Sequence, residues 1–588
     1  MDATSAFQSI AMNSGEAAHS RMTSNTAALA VDLQPCFNAA APEDKDAAMA
    51  VSDAMSAAGP APAASWPLRQ SLVACWTGSV CLGTFVGYTV PAWTTLKEDP
   101  RFTNIDPFWF FSLGVLGAVG GSVVGAMSAQ AIGRRRTMAV SAVGALCTWL
   151  CVGCAQQLWY LYIGRLINGF FAGMLSLVVP ALIAELADAR NRGVQGALHY
   201  ISTLIGSIYV SLLGRYTAWS SLAFACIIPA VGLLPLSWFI VESPRWLLQI
   251  GHRESAMAMQ RSLRKEPVEA NAEFRLMERE FSRAVTPSLH YWLAAHMMFL
   301  QQFCGANMAA SYARAIVAAA GIELDEGLAD LAILAIQLAV ACAALPLVDT
   351  VGRLRLLVSS ANICVVSMIL LASVYPSIPA DTLQYTASMP STAANATEMA
   401  AGGSGVTGSP LGLIFLAVFY FGYALGLGPL TWIQAVELTP LRGYGVELGS
   451  VCTFYWACAF CSVAFFERVR RDFGFSELGW FYGTLTLANG LVLYYFMPET
   501  KQLALETILL DECPVENMLG RRRSFHPSVV ARSKRPTLSS VGGNDRLGVS
   551  LPSVALPCKS ESLSADIPSP FKAHNSPGVP GQQQPLTP

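Results

Sequence analysis

Apolar residues run along this chain in long blocks, without the alternation of a half-buried strand or the narrow stripe of a surface helix. Twelve such blocks recur, at 68–92, 107–131, 137–155, 158–184, 194–214, 219–241, 289–319, 328–348, 356–375, 411–436, 444–466 and 478–497. Each approaches the roughly 20 residues that a helix needs to cross the hydrocarbon of a bilayer. The pattern predicts an all-α membrane protein with twelve transmembrane helices, called spans one to twelve below. Three stretches break it. Residues 1–66, rich in Ala, Ser, Asp and Met, and 509–588, rich in Pro, Ser and Gly with basic islands such as Arg521-Arg522-Arg523, read as disordered tails. Residues 249–288 are polar, with Arg and Glu at helical spacing, and read as a helical linker.

Composition agrees with lipid as the solvent. Of 588 residues 53% are hydrophobic and only 13% charged, about half the usual charged fraction, which is too apolar for a soluble core. A net charge of -2 without a dense basic stripe gives no reason to expect nucleic acid as a partner. The 15 Cys show no paired metal spacing and lie mostly inside apolar blocks, where they read as small hydrophobes. No metal or cofactor is expected, and the spans offer no nucleophile with its base, so an enzyme is not expected. The first 66 residues lack the pattern of a secretory signal, leaving span one to direct insertion.

Positive charge gives the expected orientation. With the N terminus cytoplasmic, the inner loops carry Gly133-Arg134-Arg135-Arg136, Arg190, Arg192, the cluster from Arg245 to Arg283, and Arg353 with Arg355. Arg468, Arg470 and Arg471 fall outside and disagree. The same orientation puts the sequon Asn395-Ala396-Thr397 outside, where Asn395 is a candidate glycosylation site.

The chain also repeats itself. "VESPRW" after span six matches "MPETKQ" after span twelve, "AIGRRR" after span two matches "DTVGRLR" after span eight, and "AELADARNRG" after span four matches "VELTPLRG" after span ten. Gly133 lies 219 residues before Gly352 and Glu185 lies 252 before Glu437, the excess falling in the long stretch at 376–410. Two parallel six-helix halves follow, residues 67–248 and 289–508. A solute site near their midplane interface is the architecture of alternating-access carriers.

Seven motifs carry a resemblance over roughly 68–508. They are "GRLINGFFAG" (Gly164 to Gly173), Pro180 and Glu185 with Arg192-Gly193, "ESPRWLL" (Glu242 to Leu248), "QQFCGAN" (Gln301 to Asn307) with Tyr312, Asp349 with Gly352-Arg353, "GPLTW" (Gly428 to Trp432) with Glu437, and "PETK" (Pro498 to Lys501). The chain resembles the sugar-porter branch of the major facilitator superfamily, especially the facilitative glucose transporters and their trehalose-transporter relatives. The resemblance implies the major facilitator fold with a cytoplasmic linker and cytoplasmic tails. It also implies a network of Arg134, Arg135, Glu185, Arg192, Glu242, Arg245, Asp349, Arg353 and Glu437 that closes the cytoplasmic side when the site faces out. Exposed pairs contribute only about 0 to 1 kcal/mol each, so a network acts as a reversible clasp. The pattern is departed from at Gln130, Asp188, Leu354 and Tyr444, with Arg442 two residues early.

The expected solute site lies on span seven. Gln301, Gln302 and Asn307 offer donors and acceptors without a charge penalty, and at i, i+1 and i+6 they need a helix break at Gly305 to face one cavity. Resemblance adds Gln337, Trp432 and Trp456, an indole matching the C–H face of a pyranose, with packing as the other reading of Trp456. Tyr200 stands where the family has Gln, and Ala424, Tyr455 and Ala459 replace polar residues. Arg314 reads as a snorkelling charge, with binding of an anionic group or an outer-gate lock as the other readings, and His199 and His296 as packed or cavity-lining neutral groups.

Proton-coupled relatives carry an Asp after a Gly-aromatic pair in span one, whereas here Gly87-Tyr88 is followed by Thr89. A proton relay needs a titratable group, so the expected activity is facilitative uniport of a hexose by alternating access. A proton-coupled symporter, a carrier of a disaccharide or polyol, and a nontransporting sugar sensor remain alternatives. The plasma membrane is favoured over an internal one.

Overall fold

Proline, glycine and acidic caps decide where the helices begin. The computed structural model describes residues 65–264, 266–282, 289–320, 322, 326–374, 410–439, 444–501 and 505. Asn395, Arg442, and the expected tails apart from Ser65 and Trp66 lie outside the described residues, as do the side chains of Arg314, Arg468, Arg470 and Arg471. Helix α1 (Trp66–Leu96) opens with Pro67 in its first turn, where a missing N–H costs nothing. Asp106 starts α2 (Pro107–Ala131) by accepting the Phe108 N–H at 2.9 Å. Then come α3 (Arg134–Gly153), α4 (Leu158–Leu186) and α5 (Arg192–Leu213), and a sixth crossing in two pieces, α6 (Trp219–Ala225) and α7 (Ile227–Trp238).

Three short helices follow, α8 (Pro244–Gln249), α9 (Arg253–Leu263) and α10 (Pro267–Ser282), in the stretch expected to be a linker. Arg264 fixes them to the first half. It pairs with Glu273 at 2.8 Å while donating to the Leu186 and Ala187 carbonyls at the end of α4, so one guanidinium caps a helix and ties the linker to it. Arg190 to Glu269, at 2.9 Å, is a second tie.

The second half repeats the order. Span seven is α11 (Leu289–Phe303) and α12 (Ala306–Ala319), followed by α13 (Glu326–Thr350) and α14 (Arg353–Val374). Span ten is α15 (Leu411–Gly422), a π turn at Tyr423–Leu427, and α16 (Gly428–Glu437); α17 (Tyr444–Asp472) and α18 (Phe475–Phe496) complete the bundle. Ten of the twelve expected spans are, among the described residues, helices long and apolar enough to cross a membrane. The other two are helical as well: span seven is broken at Gly305, and span twelve is the 22-residue α18. Between the halves, α2 packs on α17 and α5 on α13.

The Gly-Arg turns mark one end of the bundle, called the charged end below. At the opposite end Asp99 binds Arg101 and accepts the Trp219 indole N–H at 3.1 Å. Arg101 holds the Asp99 carboxyl below the usual range. This staple therefore contributes at neutral pH and is lost only as pH falls beneath the ordinary Asp range.

Gly133 (φ +92°) and Gly352 (φ +108°) adopt a backbone that other residues resist, and a Cβ on Gly352 would come within 2.7 Å of Glu499 Oε2. Gly251 shares the positive φ of +85° but has nothing within 4 Å of such an atom. Gly352→Ala should cost about 2 to 3 kcal/mol and Gly251→Ala about 1 kcal/mol, read as losses of thermal stability of the detergent-solubilised chain. Equal losses would remove the steric part of this account.

Candidate functional site

At the charged end, each half turns a glutamate back onto the start of a helix. Glu242 Oε1 accepts the Arg134 N–H at 3.0 Å and the Ser243 N–H at 3.1 Å, and Glu242 also receives the Arg135 N–H, so it caps α3. In the second half Glu499 accepts the Arg353 N–H at 2.9 Å and the Leu354 N–H at 3.2 Å and caps α14. Such a carboxylate sits at the positive end of the helix dipole. Burial pushes the Glu242 carboxyl above its ordinary value, against the pull of these N–H groups and Arg134. The two arginine side chains then reach acids of their own half: Arg134 pairs with Glu185 at 3.0 Å, and Arg353 pairs with Glu437, all four buried.

Arg192 and Asp349 reach across between the halves at this end. Arg192, at the start of α5, donates to Glu437 Oε1 at 3.4 Å, and Asp349, near the end of α13, accepts the Val194 N–H at 3.1 Å. The expected clasp thus divides into bonds within a half and bonds between halves. The described bonds of Glu242 are of the first kind. Arg135 is exposed and makes its bond to Glu242 through its backbone N–H. Arg245 is buried beside Arg134, Met277 and Phe281. The reading of single residues missed Glu499. Its signal was present, since "PETK" had been matched to the segment holding Glu242.

Midway along the bundle, span seven breaks at Gly305 (φ +91°). Gln301 and Gln302 are buried just before the break and Asn307 is exposed just after it, its Nδ2 3.4 Å from Ser462 Oγ. Gln301 Nε2 donates to the Gly428 carbonyl at 3.4 Å, and Gln302 lies beside the Tyr455 hydroxyl. The π turn before α16 is held by Ser360, whose hydroxyl donates to the Gly422 carbonyl and accepts the Leu427 N–H. A π turn frees backbone groups at functional positions, and here it leads directly to Gly428 and Trp432.

Tyr200 lies against Gly428 and donates to Gln337 Oε1 at 2.8 Å, linking the halves. Trp456 likewise crosses, its indole N–H donating to Ser176 Oγ at 2.9 Å. Both expected polar handles therefore already have protein partners in this conformation. Trp432 packs edge-on to Tyr455, which in turn packs on Trp456. His199 pairs with Ser79 Oγ at 2.8 Å, and His296 Nε2 lies 3.4 Å from the Asn489 carbonyl.

Arg165 on α4 escaped the sequence reading although it belongs to "GRLINGFFAG". Its Nη2 donates to Thr89 Oγ1 at 2.6 Å, and Phe85, Tyr88 and Phe110 surround its guanidinium at 5.3–5.5 Å. Helix α1 holds no Asp, Glu or His. An apolar cleft of about 810 Å³ opens elsewhere, lined by α2, α11 and α17; none of the expected solute-binding residues lines it.

Known proteins share this arrangement. The model of the family described as sugar (and other) transporter matches residues 88–510. A facilitated trehalose transporter of Polypedilum vanderplanki is 27% identical over 489 residues, which cover 79% of this chain and 90% of that protein. The sugar transporter ERD6-like 6 of Arabidopsis thaliana is 27% identical over 451 residues, covering 73% and 87%. The structure of the proton:xylose symporter XylE bound to 6-bromo-6-deoxy-D-glucose has a TM-score of 0.62 at 19% identity, over 75% of this chain and 98% of that one. The inward-open structure of XylE from E. coli gives a TM-score of 0.55 at 18% identity, over 75% and 99%.

The seam at the charged end is open to test. Ile433 of α16 is buried against Gly196 of α5, directly between the halves. In a chain without native cysteines and carrying Ile433→Cys, adding Arg192→Gln should speed labelling by a water-soluble maleimide about fivefold, for about 1 kcal/mol of lost closure. An unchanged rate would mean that the Arg192 bond does not hold this end shut.

Proposed function

The chain belongs to the sugar transporter family of the major facilitator superfamily, and from that premise we propose that it is a uniporter moving a hexose down its gradient. The observation that carries uniport is the Arg165 bond to Thr89. A proton-coupled cycle needs a group that gains and loses a proton as the site changes sides. Here the buried guanidinium meets a hydroxyl, α1 has no acid, and an arginine keeps its proton throughout the physiological range.

Gln301, Gln302, Asn307 and Gln337 serve as the hydroxyl-binding amides, and Trp432, Trp456 and Tyr200 as the flat and hydroxylic walls. Tyr200 and Gln337 bind each other without solute, so an incoming sugar exchanges existing hydrogen bonds for its own. The net gain per exchange is about 0.5 to 1.5 kcal/mol, enough for the weak, reversible affinity a carrier needs. The charged end is the cytoplasmic end on this reading. Arg134, Glu185, Glu242, Arg245, Arg353, Glu437 and Glu499 stiffen it within each half, Arg135 adding a backbone N–H, while Arg192 with Glu437 and Asp349 with Val194 part and re-form as the halves rock. The plasma membrane is the proposed location.

A disaccharide substrate is the second reading, favoured by the likeness to a facilitated trehalose transporter. Uptake of labelled glucose, fructose and trehalose in cells lacking their own sugar carriers decides between them. We expect saturable glucose uptake that survives a protonophore and falls at least tenfold in Gln301→Ala/Gln302→Ala, for about 1.4 kcal/mol or more of lost binding. Collapse with the protonophore at intact membranes would replace uniport by symport, and uptake of trehalose alone would replace the hexose. No flux through a protein at the cell surface would leave a sensor.

A further inference from the structure

We propose that Arg165 binds a small inorganic anion of the halide class inside the first half, near the end of the bundle opposite the charged turns. The residue lies 20 positions before Glu185 on α4, about 30 Å away along the helix axis, and is only 1% exposed.

Among the described residues the charge on Arg165 has no ion-pair partner. Its Nη2 is used by Thr89, while Nε and Nη1 make no hydrogen bond among the described residues. The titratable groups that it senses are Tyr88 and Cys226, both neutral at physiological pH. The Tyr88 hydroxyl is committed to the Trp219 carbonyl at 2.9 Å. Two acids between α1 and α2 bind elsewhere, Asp99 to Arg101 and Trp219, and Asp106 to the Phe108 N–H. A buried lysine in this position sheds its proton, whereas an arginine does not.

Aromatic faces soften such a charge but do not accept the two remaining N–H groups in line. A buried ion without a counter-ion is the costly case in a low-dielectric interior, and an intramembrane cation of this kind marks a binding site by default. Phe85, Tyr88 and Phe110 ring the guanidinium and Gly114 lies beside its Nη2, close quarters that suit a monatomic anion better than a phosphate or a carboxylate. The bound ion would complete the contact between α1 and α4 whichever sugar is carried, so the inference stands apart from the choice of hexose or disaccharide.

The test uses the purified full chain in detergent without sugar, its thermal unfolding followed in sodium chloride and in sodium gluconate at equal ionic strength. The unfolding midpoint should rise saturably with chloride by about 2 °C or more, and bromide should substitute. Arg165→Gln should abolish the response. Thr89→Asp should abolish it as well, because a built-in carboxylate takes the place of the anion, and its midpoint in gluconate should match or exceed that of the unaltered chain in chloride. If Arg165→Gln fails to fold, Thr89→Asp still decides. Equal midpoints of the unaltered chain in the two salts, or a full chloride response retained by either variant, would overturn the assignment.

Discussion

The buried Glu437 carboxylate is the contact on which the charged end depends. Arg353 of its own half and Arg192 of the other half both bind it, and Arg353 also donates to Thr500 while Glu499 caps the helix that carries it. Removing one partner of a buried ion pair typically costs about 3 to 5 kcal/mol, because the remaining charge stays buried. Within a half, then, these pairs are effectively permanent. Across the seam the balance differs: Arg192 reaches Glu437 only at 3.4 Å, and the acid keeps Arg353 when Arg192 leaves. Glu185 lacks this double duty, since its described bond is to Arg134 alone. The contacts across the seam are therefore asymmetric, with the second half supplying both acids, Glu437 and Asp349, that bind α5.

Rigid halves and a breakable seam are what alternating access requires, and midway along the bundle the same economy recurs. Tyr200 with Gln337 and Trp456 with Ser176 join the halves through neutral hydrogen bonds. Neutral bonds exchange with water or a hydroxylated solute at small net cost, whereas ion pairs at that depth would resist exchange. The Gly305 break in span seven and the π turn in span ten put amides and backbone carbonyls where an unbroken helix would bury both in its own ladder.

Much of this was legible before the fold was. The apolar blocks marked out the helices, ten of them long and apolar enough to cross a membrane among the described residues, and the paired motifs fall at matching helix ends, because bilayer thickness and helix-end chemistry leave strong marks on sequence. The break at Gly305 followed from three polar side chains that no straight helix turns one way. Partner choice was less legible. Glu242 and Glu499 sit in matched motifs, yet nothing in one dimension says that a carboxylate faces backbone N–H groups rather than an arginine side chain. Arg165 was hidden for a similar reason: an arginine eight residues into an apolar helix reads as a motif letter until the rings of Phe85, Tyr88 and Phe110 are seen around it.

Charge is thus managed in opposite ways at the two ends. At one end acids and bases are numerous, and their bonds lie partly within a half and partly between halves. Near the other the Arg165 guanidinium is enclosed beside a threonine, in a first span without an acid. A charge that cannot leave and whose titratable neighbours stay neutral gives the same contact at every physiological pH. On the uniport reading this is what frees the conformational exchange from the proton gradient. The direction of net movement is then set by solute concentration alone, and the charged end biases only the balance between the two faces.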